Sequence, residues 1–203
     1  MSIILLLSCV STLAYGLELG IVIILHFLPT GYNPIKHAVS DYAVGKFSNI
    51  YRWRLWCSAI GALALAGALA LRLEAGNFGK DDLELLLLMA PVRVAMSFFP
   101  VDLEGQPLTR NGRLHYFFAV LWFALAYIVI NHLTTILPAI EPWNAAQGIL
   151  TLLETIAGPA LFAVCVTLIP TLRRIFGLFE RIYLFTIMFW FLLVSALLVV
   201  KLM

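Results

Sequence analysis

Six apolar stretches, each close to or longer than the roughly 20 residues that a helix needs to cross a bilayer, dominate this chain. They are Ile3–Leu28, Tyr51–Leu71, Leu83–Pro100, Leu114–Leu137, Trp143–Ile169 and Ile182–Leu202. They lack the period-two alternation of barrel strands and are too long for them. Backbone groups inside lipid must then be satisfied within each segment, which leaves helices. The fold class expected is therefore all-α: a single polytopic bundle of six transmembrane helices over residues 1–203, joined by short loops that make neighbours antiparallel. The opening run has no basic residue ahead of it and exceeds the ~7–15 apolar residues of a leader, so it reads as the first span. Small residues from Gly61 to Gly67 suit close approach by a neighbouring helix.

Charge supports the same class. Only 12% of the 203 residues are charged, and mean hydropathy is +0.99. A soluble domain would carry about twice that charged fraction. A formal charge of +2 gives no basis for a nucleic-acid partner. Cys9, Cys57 and Cys165 stand alone in apolar runs, which excludes a CxxC exchange centre and suits helix packing. Nine Lys or Arg residues lie in the first, third and fifth loops and their flanks: Lys36, Lys46, Arg52, Arg54, Arg110, Arg113, Arg173, Arg174 and Arg181. Three, Arg72, Lys80 and Lys201, lie at the opposite side, along with the acids Glu74, Asp81, Asp82 and Glu141. The positive-inside rule then places the odd loops in the cytoplasm and both termini outside, as in a multi-pass protein of a bacterial inner membrane.

The polar residues gather at the odd-loop end. In the first loop, Asn33 suits an N-cap, Pro34 the first helical position and Gly45 a C-terminus, which predicts a short interfacial helix. On such a helix His37, Ser40 and Asp41 share one face, as a base, a nucleophile or a metal pair requires. The alternative is a solvated surface turn with Asp41 paired to Lys36 or Arg52. Pro100 ends the third span and sets Asp102 at its mouth, Thr109 or Asn111 can cap the fourth span, and His115 follows just inside. Glu180 and Arg181 open the sixth, and His26 closes the first. The opposite side holds only His132.

Deeper in the chain, Glu18, Arg93 and Glu154 fall near the middle of their spans. A charge there costs a few kcal/mol on insertion scales, so it should face the interior and find a partner. Arg93 with Glu18 or Glu154 is the expected pair. Gly158 and Pro159 follow Glu154 by one turn and would loosen its helix.

Four short motifs, taken in order, resemble the bacterial and archaeal membrane family called domain of unknown function 998. They are Asn33-Pro34-x-x-His37-x-x-Ser40-Asp41, Phe99-Pro100-x-Asp102, Thr109-x-x-Gly112-x-x-His115, and Gly177-Leu178-x-Glu180-Arg181. The resemblance covers nearly the whole chain and implies a shared six-span fold and a shared site at the cytoplasmic face, but no reaction. A thinner similarity runs to membrane hydrolases of the alkaline ceramidase and adiponectin-receptor type, which hold zinc with histidines. This chain departs from them in its six spans and in lacking His-x-x-x-His in its last helices.

Three functional readings stay open at this stage. One is an enzyme acting on a lipid or amphiphile, with His37 or His115 as base or metal ligand. In it Asp41 or Asp102 orients that base or shares the metal, zinc among the alternatives, and Arg181 holds an anionic head group. Another is an ion-coupled transporter built on Glu18, Arg93 and Glu154. The third is a non-catalytic lipid-binding or assembly module, in which Asp41 and Asp102 accept backbone N–H groups and Glu180 bonds to a neighbouring loop. The bilayer is the partner in all three, and none of these features sets an oligomeric state.

Overall fold

The computed structural model describes residues 2–73 and 79–203, apart from the side chain of Lys80; Glu74 lies outside the described residues. Six helices follow in order: α1 (Ile3–Phe27), α2 (Ser48–Arg72), α3 (Lys80–Phe98), α4 (Arg110–Ile136), α5 (Gln147–Val166) and α6 (Phe176–Leu202). Among the described residues there is no strand. Five of the helices, all but α3, are long and apolar enough to cross a membrane. The exception carries Asp81, Asp82, Glu84 and Arg93. With 19 residues it is still roughly 28 Å long at 1.5 Å per residue, close to the hydrocarbon thickness.

Contacts fix the register of the bundle. Ser11 of α1 donates to the Gly61 carbonyl of α2 at 3.1 Å and shares a 2.7 Å hydrogen bond with Ser195 of α6. Tyr15 stacks on Phe191, and a Cβ at Gly61 would press on the Tyr15 ring, so the small-residue run does bring α2 close to α1. Toward the other end of α3, Arg93 meets Glu18 and Ser58, while Asp82 meets His132 of α4. Helices α1, α2, α3 and α4 therefore run alternately up and down, and α6 returns beside α1. Because α6 also runs alongside α4, the hydroxyl of Tyr183 reaches the Phe123 carbonyl and the Trp190 indole reaches Thr134. By contrast α5 touches α4 far less than α1 touches α2, so among consecutive helices the α4–α5 seam is the loose one.

The first loop departs from expectation. Instead of one helix from Asn33 to Gly45 it makes a turn at 34–36 and then a short 3-10 helix, Val39–Ala43. The Asn33 carboxamide caps only the turn, accepting from Ile35 at 2.9 Å, and Gly45 does turn the chain, with φ of 92°. His37 precedes the 3-10 helix, so it does not share a helical face with Ser40 and Asp41.

Candidate functional site

Two loops are clamped onto the odd-loop end of the bundle, and the four motifs supply both clamps. The first loop lies across the start of α6. The N–H of Leu178, which has no partner within its own helix so near the start, donates to the Ile35 carbonyl at 3.0 Å. Glu180 accepts from the Val39 N–H at 2.6 Å, and Arg181 donates to the His37 carbonyl at 2.6 Å. Gly177 permits this contact, since a Cβ there would collide with the carbonyls of His37 and Pro34. The third loop folds on itself. Asp102 accepts from the N–H of Thr109 at 2.6 Å and from its hydroxyl at 3.0 Å. Thr109 in turn caps α4 by accepting from Gly112 at 3.2 Å. A side chain at Gly112 would run into the Asp102 carboxylate.

Most of the residues expected to do chemistry are thereby engaged as clamps. Asp41 is buried and accepts from the Ala38 N–H at 3.1 Å; it pairs with neither Lys36 nor Arg52. Burial raises its pKa from the ordinary carboxylate value, against the lowering pull of His37, the Ala38 bond and Arg181. Arg181 is buried and donates to His26 at 2.6 Å, to the His37 carbonyl and to the Gly177 carbonyl at 2.9 Å, so it is not placed to receive a head group. His37 accepts the Asn33 N–H on Nδ1 at 2.8 Å, which puts its proton on Nε2. His26 donates from Nδ1 to the Val22 carbonyl and accepts Arg181 on Nε2.

Between the clamps lies a cavity of about 410 Å³. His37, Ser40, Asp41, Asp102, His115 and Glu180 all line it, so the convergence expected from sequence does occur. The lining changes with depth. The loops supply its polar mouth, whereas Ala119, Phe123 and Ala124 of α4 and Leu161, Val164 and Cys165 of α5 supply an apolar floor along the loose seam. At the mouth Glu104 bridges Lys36 at 3.4 Å and Arg173 at 3.8 Å, which joins all three odd loops. Glu104 had no motif or periodicity to single it out.

His115 differs from its neighbours. Its ring is 1% exposed, and Nδ1 lies 2.7 Å from the Phe99 carbonyl. A carbonyl only accepts, so Nδ1 carries the hydrogen and the neutral ring keeps a lone pair on Nε2. That atom has no hydrogen-bond partner among the described residues. The donor set expected for zinc, His37, His115 and Asp102, is not assembled: among the described residues no group of three His, Cys, Asp or Glu is placed to hold a metal. Two of the three are committed instead to Asn33 and Thr109.

The midplane charges form a second polar region with another composition than expected. Glu18 Oε1 lies 3.0 Å from Arg93 and 3.5 Å from Nε of Arg54, the latter within ion-pair reach but misaligned for a hydrogen bond. Arg93 also donates to Ser58 at 3.1 Å and stands 3.4 Å over the Trp122 ring. Glu18, Arg54 and Arg93 are each 1% exposed, so the cluster is sealed. Glu154 takes no part: it accepts from Asn131 at 2.9 Å on the α4–α5 side. Arg54, counted with the loop charges, is the third member; its place one turn inside the second span was the available signal.

A sequence model of the family described as "Protein of unknown function (DUF998)" matches residues 12–197. No curated protein and no solved structure matches.

Proposed function

The chain belongs to the DUF998 family, whose description assigns no activity, and from the shape and chemistry of its cavity we propose that it binds an amphiphile from the bilayer. The head group occupies the polar mouth and the tail lies along the α4–α5 seam. One observation carries this reading: a cavity of about 410 Å³ that is polar at the loops and apolar between the helices. That volume falls within the roughly 300–1,000 Å³ of small-ligand pockets. The motif residues act as builders of the mouth, since Asp41, Asp102 and Glu180 accept backbone N–H groups. The midplane cluster supports packing of α1–α3 rather than ion coupling, because no member of it is open to solvent.

In this reading all six helices cross the membrane, α3 being held in place by its neighbours, and the mouth faces the cytoplasm. Setting aside Arg54 and Arg181, which the fold buries, the odd loops keep seven basic residues against three. A reporter fused after Met203 checks the sidedness, with an extracytoplasmic signal expected.

Binding is tested with a diazirine-bearing monoalkylglycerol and the purified full chain in nanodiscs. Saturable, competable labelling of α4 and α5 at the cavity floor is expected, and Ala124→Trp, which fills the floor, should remove it. Labelling that does not saturate, or that Ala124→Trp leaves unchanged, would exclude the reading.

A further inference from the structure

Resting on that reading, we propose that the occupant belongs to the neutral hydroxylated amphiphiles, such as a long-chain alcohol or a monoacyl or monoalkyl glycerol, and that its hydroxyl donates to Nε2 of His115. The acceptor is built rather than incidental. The Phe99 carbonyl fixes the tautomer from behind, at 2.7 Å, and Phe99 belongs to the loop that Asp102 and Thr109 lock in place. The ring lines the cavity, yet Nε2 is buried and meets no donor among the described residues. A buried acceptor left unmade is costly, so a group that fills the cavity beside it is favoured when it presents an O–H or N–H.

Charge decides between those donors. Four carboxylates line the cavity, Asp41, Asp102, Glu104 and Glu180, against two permanent cations, Lys36 and Arg173. Both cations already pair with Glu104. A phosphate head group would meet an excess of acid and would bring no donor to His115 once ionised. An ammonium would bring donors, but the carboxylates that could balance its charge already hold partners, since Asp41, Asp102 and Glu180 each accept a loop N–H. Of the two carboxylates on the adjoining loop, Asp102 already accepts two bonds from Thr109 and Glu104 pairs with Lys36 and Arg173. A neutral hydroxyl matches an acceptor set above an apolar floor.

The experiment is competition against the same diazirine monoalkylglycerol, bound to the full chain in nanodiscs. The competitors are unlabelled monoalkylglycerol, its di-O-methyl ether, the corresponding alkyl glycerol phosphate and the alkyl amine, all of one chain length. The diol should compete about tenfold better than its dimethyl ether, which is about 1.4 kcal/mol, and better than the phosphate or the amine. In His115→Phe the diol and the dimethyl ether should compete equally, with labelling retained. If the wild type takes the ether, the phosphate or the amine as well as the diol, the hydroxyl assignment is overturned while amphiphile binding stands. A preference for the diol that survives His115→Phe removes His115 as the acceptor. Absence of saturable labelling overturns both. Should His115→Phe fail to fold, the ranking on the wild type decides.

Discussion

The two polar regions of this bundle use similar residues to opposite ends. Around Glu18 everything is sealed: one carboxylate sits between two guanidiniums, with Trp122 as a lid, and α1, α2, α3 and α4 all contribute. At the odd-loop end there are four carboxylates, of which Asp41, Asp102 and Glu180 each hold a backbone N–H of a loop, and the loops frame an open cavity. Charge buried in an apolar protein thus does not by itself mark a functional centre. What separates the regions is the opening: buried polar atoms without a partner occur in both, Oε2 of Glu18 in the sealed cluster and Nε2 of His115 in the wall of the cavity.

That contrast is broken most severely at Glu18. Replacing it with Gln removes the carboxylate that, alone among the described residues, contacts Arg54 and Arg93, and leaves two adjacent buried cations. A loss of about 3–5 kcal/mol is expected, as for other broken buried pairs, read as a collapse of folded yield and of Tm in detergent. Arg93→Met should cost less, because Glu18 keeps Arg54 at 3.5 Å. Equal losses in both variants would mean that Arg54 contributes nothing to the cluster.

At the mouth the comparable test is steric. Gly177→Ala drives a methyl group into the carbonyls of His37 and Pro34, so the first loop must lift from α6. The expected cost is about 1–3 kcal/mol, with loss of amphiphile labelling at temperatures where the chain is still folded. Labelling unchanged in Gly177→Ala would show that the first loop is not part of the site.

How far the sequence foretold these regions follows from what a one-dimensional pattern can carry. Hydropathy located six helices because lipid demands long apolar runs, and the caps at Thr109 and Gly45 were read from local chemistry. Depth along a span was also legible, which is why Glu18 and Arg93 stood out. The direction a residue faces was not. Glu154 sits at the depth of Arg93 but on α5, which faces Asn131 instead. Arg54 looked like a flanking charge until α1 packed across it. Spacing brought His37 and Asp41 to one site for the wrong reason, since the loop turns twice where a helix was expected. The orphaned Nε2 of His115 depends on the Phe99 carbonyl sixteen residues away, and no sequence pattern encodes that contact.

A pH series sharpens the account of the mouth. Burial raises the Asp41 pKa above the ordinary carboxylate value, with Glu104 adding to the rise, while His37, the Ala38 bond and Arg181 oppose it. The folded chain therefore holds the Asp41 proton more tightly than the unfolded chain does. For a raised carboxylate this favours folding at low pH, and the contribution fades as pH climbs through the folded value. Asp41→Asn keeps an oxygen for the Ala38 N–H but cannot ionise. Its stability should therefore fall less than that of the wild type between acidic and neutral pH, measured by Tm across that range. Parallel profiles would mean that Asp41 stays ionised without cost.

The smallest effect belongs to Glu104, and its size is what makes it informative. Its bridges to Lys36 and Arg173 join three loops, but their side chains are 40–48% exposed, so water and salt screen them. Exposed pairs contribute about 0–1 kcal/mol. Glu104→Gln should accordingly leave Tm nearly unchanged, whereas Glu18→Gln should lower it sharply. Because the loops are already held by Glu180 and Asp102, the mouth should keep its shape without Glu104. Amphiphile labelling in Glu104→Gln should then match the wild type within about twofold at physiological salt, and added salt should narrow the difference further. A large loss of labelling with Tm intact would instead place Glu104 against the head group itself, turning a surface bridge into a contact with the ligand.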